Sequence, residues 1–547
     1  MNKKFGVRGP VKRGVAVMAA LMIGAGSLAA CSSSEGDTTA ATQKAKTIDP
    51  RFGDSPRTVA DGAGLESSKL FFDTSETAII TADDVASRAR AASLSVVTHA
   101  PVLVDTPETR AEIERLGATK VLLVGVPQFA AEGVETIVDP GTAEALSELT
   151  SLRFETREVG SPEELPAAIA QLDPEQPVEL KVAGFPLETH PAPEDANLTF
   201  PVSSSRDGGQ APVILASPQT DPVDVANARA YGAEVKHLAF ADPRIRPDEF
   251  EGVAGTPVVA LGSAFGSSEQ FAHTLELLEN TKTEINGGGQ LVFPGRRMIA
   301  LYGHPSGGAL GVMGEFDPAG AVAHAQELVA QYKQADPSEN VMPAFEIIAT
   351  VASEFPGVDG DFSNEADPEE LKPYIDAIVD AGGYVVLDLQ PGRARFIDQA
   401  RRYEELLKNP NVGLALDPEW RIGPDEMPLQ RVGSVEAAEV NEVAQWLADL
   451  TRENQLPQKA FVLHQFQVQM LRDRDQINTA HPELAFVLHA DGHGVPEQKF
   501  DTWNVLRQDL GPGWFMAWKN FIDEDTPTFT PEQTWAIDPR PWFVSYQ

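Results

Sequence analysis

Eight short apolar runs between residue 297 and the C-terminus constrain the fold of this 547-residue chain more than any other feature. The runs are RMIALYGH, AFEIIATV, YVVLDLQ, VGLALDPEW, KAFVLHQF, LAFVLHADG, WFMAWKNF and WAIDPRPWFVSYQ. Helical patterns such as PEELKPYIDAIVDAGG separate most of them. Eight β/α units within about 250 residues match the size of a (β/α)8, or TIM, barrel. We therefore predict a TIM barrel over residues 291–547, with a doubly wound sheet as the alternative.

Polar side chains follow the apolar part of these predicted strands. In a TIM barrel the functional residues lie at the carboxyl ends of the strands, on one face. The predicted catalytic residues are Asp417, Glu419, Asp388 and Asp491. The predicted substrate-binding residues are His304, Gln390, Trp420, His464, Gln465, His489 and Lys519. Burying an unpaired polar group costs roughly 2–7 kcal/mol, so we expect these groups either to pair or to surround a solvated cleft.

Asp417 and Glu419 are the strongest candidates for acid–base chemistry. If the strand stays extended through both residues, their carboxylates lie on one side of it, about 6.6 Å apart. Glycoside hydrolysis uses two carboxyl groups roughly 5–9.5 Å apart, and their environments can separate their pKa values. This arrangement resembles the barrels of glycoside hydrolases. The candidate stacking surfaces for sugar rings are Trp420, Trp503, Trp514 and Trp518. Alternatively, the pair caps the next loop or binds Arg421, and the tryptophans fill the core.

The sequence also offers weaker metal-binding patterns. Ligand-type side chains on separate predicted strands are His304, His464, His489 and Asp491. They show no compact ligand motif such as H-E-x-x-H. DGDFSNEADPEE spaces its acids like a calcium loop, but Asn364 stands where that loop needs glycine. We therefore predict no metal site and no cofactor, and we interpret the glycine-rich HPSGGALGVMGE, residues 304–315, as a flexible loop over the barrel mouth.

The region before the barrel alternates apolar strands with helices, which predicts parallel sheets covered on both faces. Residues 77–129 read TAIITADDVASRARAASLSVVTHAPVLVDTPETRAEIERLGATKVLLVGVPQF. This stretch resembles one unit of the cell wall-binding repeat family of Gram-positive bacteria, although Gly125-Val126-Pro127 replaces the usual closing Gly-Gly. The resemblance implies an α/β module at 76–205 that binds an envelope polymer. A second α/β segment at 206–290 is either a diverged second unit or part of one flavodoxin-like sheet.

The N-terminus predicts export. Five basic residues precede the apolar segment GVAVMAALMIGAGSLAA, which is typical of a secretory signal at 1–30. Leu28-Ala29-Ala30-Cys31 then resembles the lipobox of bacterial lipoproteins, and Cys31 is the only cysteine. The resemblance implies that Cys31 carries lipid, such as palmitate, and anchors the protein at the extracytoplasmic face of the cell membrane. The alternatives are an uncleaved transmembrane helix and a buried structural cysteine. Polar residues 31–75 are interpreted as a flexible tether.

The net charge of −38 excludes nucleic acid and anionic lipid as main partners. Membrane attachment is therefore predicted through the N-terminal lipid only. Together these features predict a lipid-anchored surface protein that binds cell wall polysaccharide or another envelope polymer and acts on it through a carboxylate pair. The alternative is a non-catalytic wall-binding lipoprotein whose barrel is a degenerate scaffold. The sequence alone leaves catalysis open.

Overall fold

A computed structural model of the chain describes residues 48–53, 55–60, 62–189, 199–202, 208–245, 256–511 and 513–547. The predicted signal segment 1–30, the predicted lipidation site Cys31 and the first part of the predicted tether lie outside these residues. Among the helices within the described ranges, none combines the length and the apolar character needed to cross a bilayer.

Parallel α/β sheets precede the barrel, as predicted. In chain order the elements are β1 (Arg57–Val59), α1 (Leu65–Phe71), β2 (Thr77–Thr81), α2 (Val85–Thr98), β3 (Val102–Val104), α3 (Thr109–Leu116), β4 (Lys120–Val124), β5 (Glu135–Val138), α4 (Ala143–Thr150), β6 (Glu155–Val159), α5 (Leu165–Ala170), β7 (Val178–Val182), β8 (Val213–Ala216), α6 (Pro222–Tyr231), β9 (Val235–His237), β10 (Val258–Leu261) and α7 (Ser268–Asn280). One four-stranded sheet has the order β3-β2-β4-β5, another has the order β1-β10-β8-β9, and β6 pairs with β7. The two four-stranded sheets are separate, so this region is not one flavodoxin-like sheet.

The C-terminal part of the predicted tether, residues 31–75, contains folded elements instead of a flexible segment. Within it, β1 pairs in parallel with β10, and α1 packs against α6. Phe52 and Phe71 are buried, and their ring centroids lie 5.8 Å and 5.6 Å from that of Tyr231 on α6. This aromatic cluster holds residues 48–75 against the second α/β segment, because burying such rings outweighs the entropy of a free chain.

The C-terminal region forms the predicted closed barrel. Its elements are β11 (Arg297–Gly303), α8 (Pro318–Ala335), β12 (Val341–Ala352), β13 (Ser363–Glu365), α9 (Pro368–Asp380), β14 (Tyr384–Leu389), α10 (Phe396–Arg402), α11 (Glu404–Leu407), β15 (Val412–Leu416), β16 (Val435–Glu436), α12 (Ala437–Glu453), β17 (Lys459–Gln465), β18 (Leu471–Arg472), β19 (Leu484–Ala490), α13 (Pro496–Leu506), β20 (Trp514–Asn520), α14 (Pro531–Trp535) and β21 (Phe543–Tyr546). The barrel strands are β11, β12, β14, β15, β17, β19, β20 and β21, all paired in parallel, and β11 pairs with both β12 and β21 to close the ring.

Alternate residues of each barrel strand enter two different cores, as the period of two in a strand requires. The outward-facing residues pack with the helices, as Leu301, Phe345 and Leu387 do. The inward-facing residues form a separate apolar cluster that includes Met298, Ala300, Met342, Ala344, Tyr384, Val386, Ala415, Ala460, Val462, Ala485, Val487, Ala517 and Phe543. This cluster, called here the inner floor, fills the barrel below its carboxyl-terminal end.

The last strand starts later than the apolar run WAIDPRPWFVSYQ suggested. β21 begins at Phe543, so Asp538 and Arg540 precede it and do not lie at the functional end. Pro539 and Pro541 have no N–H for a strand ladder, which explains the late start. Arg540 instead pairs with Asp336 and Glu339, in both cases at 2.7 Å.

Candidate functional site

A layer of polar side chains lies directly above the inner floor. Each member follows an inner-floor residue by two, four or six positions and therefore also points into the barrel. The members are Tyr302, Glu346, Asp388, Asp417, His464, His489, Asp491, Lys519 and Ser545. Glu346, Asp388, His464 and His489 have no exposed surface at all. The inward-facing side chains thus change from apolar to polar or charged between one inward position of a strand and the next.

His464 connects two carboxylates of this layer. Its Nδ1 lies 2.9 Å from Asp491 Oδ2, and its Nε2 lies 2.9 Å from Glu346 Oε1. Burial opposes a charge on the ring, but Glu346, Asp388 and Asp491 outweigh burial and raise the pKa of His464 well above its usual 6.5. Without any other cation, the ring is an imidazolium that donates one hydrogen bond to each carboxylate.

A second histidine lies on the other side of Glu346. His489 Nδ1 is 3.5 Å from Glu346 Oε1, and its Nε2 is 3.1 Å from Ser545 Oγ. Burial lowers the pKa of His489, so this ring is neutral. Burial alone would raise the pKa of Glu346, but the two neighbouring imidazoles hold it well below 4.5. Glu346 is therefore an ionised carboxylate at the centre of the layer.

Asp388 is held by a tyrosine. The Tyr302 hydroxyl donates to Asp388 Oδ2 at 2.8 Å and lies 3.2 Å from Gln390 Nε2. Burial, partly offset by His464, raises the pKa of Asp388 to about 6. On the open side, Lys519 Nζ lies 3.7 Å from the centre of the Tyr302 ring.

A cavity of about 470 Å³ opens above the polar layer at the barrel mouth. Its volume falls within the range of small-molecule sites. Its polar lining consists of Gln390, Asp417, Glu419, Asp491, His493, Thr502, Lys519 and Gln547. Its aromatic lining consists of Tyr302, Trp420, Phe466 and Phe521. Acidic groups, one lysine and several ring surfaces therefore face a single solvated space.

The three carboxyl groups that line this cavity differ in their affinity for protons. Burial, together with the Glu419 charge, raises the pKa of Asp417 well above its ordinary value of 3.8. Burial, together with Asp491, raises the pKa of Glu419 from 4.5 to about 7. Asp491 goes the other way: burial alone would raise its pKa, but the hydrogen bond and charge of His464, together with the charge of Lys519, lower it. Near neutral pH the cavity thus holds protonated and ionised carboxyl groups side by side.

No protein-family model matches this chain, and the search of curated proteins gave no match. Among solved structures, the chain is similar to Cwp6 from Clostridium difficile, with 13% sequence identity and a TM-score of 0.28. The match covers 55% of this chain and 63% of that one, so it spans less than two-thirds of the length of Cwp6. A similarity at this level carries no argument about the site.

The predicted geometry of Asp417 and Glu419 was wrong, although both side chains do line the cavity. β15 ends at Leu416, and Pro418–Trp420 form a single 3-10 turn instead of an extended strand. Proline at the first position of this turn fixes its φ and cannot donate to a ladder. Arg421 does not neutralise the pair, because it binds Glu439 at 3.2 Å.

The other predicted site residues divide between the cavity and its surroundings. The cavity lining includes Gln390, Trp420, Asp491 and Lys519. Asp388, His464 and His489 lie below it, in the polar layer. His304 is outside the lining and contacts Ser306. Gln465 is also outside it, because alternate strand residues point outward and its amide donates to the Gln467 and Val468 carbonyls.

Three of the four candidate stacking tryptophans are elsewhere. Trp503 and Trp518 are each 1% exposed and contact each other in the outer core, with ring centroids 5.5 Å apart. Trp514 is the first residue of β20, at the opposite end of the barrel. The glycine-rich stretch 304–315 does lie at the barrel mouth, since Ala309 and Leu310 line the cavity. Gly303 and Gly311 pack so closely that a Cβ on Gly311 would lie 2.5 Å from the Tyr302 carbonyl oxygen, so the stretch is compact.

Sequence reasoning missed eight residues of the site. They are Tyr302, Glu346, Ser545, Phe466, Phe521, His493, Thr502 and Gln547. Glu346 carried a usable signal, because it is the only charge in the apolar run AFEIIATV. Among described residues, buried ligand-type atoms within 4.8 Å of one another occur in the trios Glu346–His464–His489 and Asp417–His464–Asp491. A third trio, Asp359, Asp361 and Glu365, falls in the stretch whose calcium-loop spacing we rejected from the sequence, and it is only partly buried.

Proposed function

We propose that this protein is a lipid-anchored surface enzyme whose barrel hydrolyses glycosidic bonds in a cell envelope polysaccharide. The observation that carries the proposal is the opposite protonation of Glu419 and Asp491 in one cavity. The pKa of Glu419 is raised to about 7, while the pKa of Asp491 is lowered. Glycoside hydrolysis needs one carboxylic acid and one carboxylate on either side of the scissile bond.

In this mechanism Glu419 is the general acid. Its proton passes to the glycosidic oxygen as the bond from that oxygen to the anomeric carbon breaks. The Asp491 carboxylate stabilises the positive charge that develops at the anomeric carbon. A water molecule then supplies the hydroxyl of the product and gives its other proton to the Glu419 carboxylate, which restores the acid. The hydrogen bond from His464 to Asp491 Oδ2, at 2.9 Å, holds this carboxylate in place and leaves its Oδ1 without a hydrogen-bond partner among the described residues.

Other features support the sugar substrate and the location. Trp420, Phe466 and Phe521 offer ring faces in the cavity, and Gln390 and Lys519 offer hydrogen-bond donors. The residue pattern of 1–31 supports export and lipidation of Cys31. The resemblance of residues 77–129 to wall-binding repeats supports attachment to the polymer that the barrel cleaves. These N-terminal features also fit the second candidate, a wall-binding lipoprotein without catalysis.

The test compares the parent protein with Glu419→Gln and Asp491→Asn on polysaccharide purified from Gram-positive cell walls. We expect the parent to release reducing ends, and each variant to do so roughly 100- to 10,000-fold more slowly. Activity of the parent should fall as the pH rises above about 7, when Glu419 loses its proton. The matched control is Glu524→Gln, which removes an exposed acid from the loop after β20.

Two results would contradict the proposal. One is a parent that releases no reducing ends from any wall fraction while sedimenting with the same walls, which would support the non-catalytic binder. The other is a Glu419→Gln variant with the activity of the Glu524→Gln control. Circular dichroism of each variant checks that the fold is retained.

A further inference from the structure

We propose that the polar layer beneath the cavity binds one divalent transition-metal ion through His464, His489, Glu346 and Asp388. This site shares the His464–Asp491 hydrogen bond with the proposed catalytic pair, but it does not depend on the proposed glycoside hydrolysis. The four residues come from four strands, β17, β19, β12 and β14, and all are fully buried.

The ligand atoms converge at the spacing that a metal requires. His464 Nε2 lies 2.9 Å from Glu346 Oε1 and 3.9 Å from Asp388 Oδ1, and His489 Nδ1 lies 3.5 Å from Glu346 Oε1. In a tetrahedral site with bonds of about 2.0–2.1 Å, ligand atoms are roughly 3.3–3.4 Å apart. The ligand atoms of Glu346, His464 and His489 all lie within 4.8 Å of one another, so an ion fits between these three after small side-chain shifts. Asp388, 3.9 Å from His464 Nε2, joins as the fourth ligand by a larger shift.

In three of the four residues, the polar atom that points away from the proposed ion is held by a hydrogen bond, as is usual for metal ligands. A ligating histidine normally donates its other N–H to an oxygen, and ligating carboxylates are hydrogen-bonded in turn. His464 Nδ1 is 2.9 Å from Asp491 Oδ2, and His489 Nε2 is 3.1 Å from Ser545 Oγ. The Tyr302 hydroxyl donates to Asp388 Oδ2 at 2.8 Å. These contacts leave His464 Nε2, His489 Nδ1 and Asp388 Oδ1 to face the centre.

Several of the inward atoms lack a hydrogen-bond partner among the described residues. They are His489 Nδ1, Asp388 Oδ1 and Glu346 Oε2. Leaving one buried polar atom unpaired costs about 1–3 kcal/mol, and more when it is charged. A divalent ion bound through Glu346 Oε1 would satisfy His489 Nδ1 and Asp388 Oδ1 and would replace the proton on His464 Nε2. Two imidazoles with two carboxylates favour zinc, manganese or iron over calcium and magnesium. Four protein ligands are typical of a structural site.

The experiment uses the full-length protein, stripped with EDTA, then loaded with ZnCl2 and desalted. We expect the parent to retain about one zinc per chain, as in a closed structural site, and its thermal midpoint to rise on reloading. The variants His489→Gln and Glu346→Gln should retain none. The matched control His324→Gln, which changes a partly exposed histidine on α8, should bind as the parent does. Loading with CoCl2 should give the visible absorption of a four-coordinate ion.

A second measurement changes a residue that hydrogen-bonds a ligand and leaves the ligands themselves in place. A loss of fold would not give the graded change in zinc affinity that we expect from it. Ser545→Ala keeps all four ligands but removes the oxygen beside His489, so zinc affinity should fall roughly 10- to 100-fold. The proposal is overturned if EDTA and ZnCl2 leave the thermal midpoint and the metal content of the parent unchanged. It is also overturned if His489→Gln binds as much zinc as the parent. Glu419→Gln should keep its zinc, which separates this site from the proposed catalytic function.

Discussion

Replacing Glu419 with glutamine should stabilise the protein at neutral and alkaline pH. The side chain is largely buried and lies near Asp491 and Asp417, and these surroundings raise its pKa from 4.5 to about 7. Glutamine has nearly the same shape and hydrogen-bonding atoms but no charge to lose. Comparing the parent with this variant therefore measures how much the ionisable group in the cavity lowers the free energy of unfolding.

The size and sign of the effect follow from proton linkage. At pH 4 and below, Glu419 is protonated in both the folded and the unfolded protein, so its titration contributes nothing. Between pH 4.5 and about 7 the unfolded chain releases the proton while the folded protein keeps it, which favours unfolding. One pKa unit corresponds to about 1.4 kcal/mol. The parent should thus lose about 3 kcal/mol across this window relative to Glu419→Gln, with no further change above about pH 8.

Urea unfolding followed by tryptophan fluorescence measures this directly. The seven tryptophans all occur at residue 420 or later, so their emission reports on the barrel. Free energies of unfolding for parent and variant should be compared at pH 4, 5, 6, 7 and 8, because a constant offset between the two proteins then cancels. A difference that stays flat across this range would refute the argument that burial raises the pKa. Glu524→Gln, which changes an exposed residue, should give a flat difference.

Three further substitutions test other parts of the description. Arg90→Met should destabilise the N-terminal region by about 3–5 kcal/mol, measured by circular dichroism, because it leaves Asp139 and Glu179 buried without their guanidinium partner. Trp503→Ala should lower the free energy of unfolding of the barrel by about 3–5 kcal/mol in urea, because this ring is fully packed. Trp420→Ala, by contrast, should change stability by less than about 1 kcal/mol and weaken binding of wall polysaccharide in a sedimentation assay, since its ring lines the cavity. An equal loss of stability in the two tryptophan variants would contradict this distinction.

The barrel was predictable because its signal is repeated and local. Eight apolar runs with helices between them leave few architectures, and each run needs only the strand period to be recognised. Where prolines interrupt that period, the prediction failed. The strand before Asp417 ended at Leu416, although the prediction had kept it extended through Glu419. The last strand began only after Pro541. In both places the missing N–H of proline, and not the apolar pattern, limits the strand. It sets the carboxyl end of β15 and the first residue of β21.

The site was only half predictable, because sequence indicates which residues reach the barrel mouth but not how deep each one lies. His464 and Asp491 were both expected at strand ends, yet one is buried in the polar layer while the other lines the cavity. Glu346 was left out of the predicted site because it lies mid-run, six residues before the end of β12. β12 is twelve residues long, so Ile347 near its middle is level with Gly303 at the end of β11, and Thr350 is level with Leu389 at the end of β14. Strand length and register, which only the closed barrel fixes, determine this depth.

The small residues of the inner floor explain how so many large polar groups fit in one layer. Alanine stands two positions before each of Tyr302, Glu346, Asp417 and Lys519, at Ala300, Ala344, Ala415 and Ala517. On the other strands of the ring, valine or phenylalanine stands two positions before the polar residue, at Val386, Val462, Val487 and Phe543. The inner floor therefore mixes small and large side chains, as close packing inside a barrel requires. Because an alanine leaves space above itself, the long side chain that follows it can lean toward the barrel axis. The groups that meet there, Tyr302 with Asp388 and Glu346 with His464, are brought together by the alanines below as much as by their own charges.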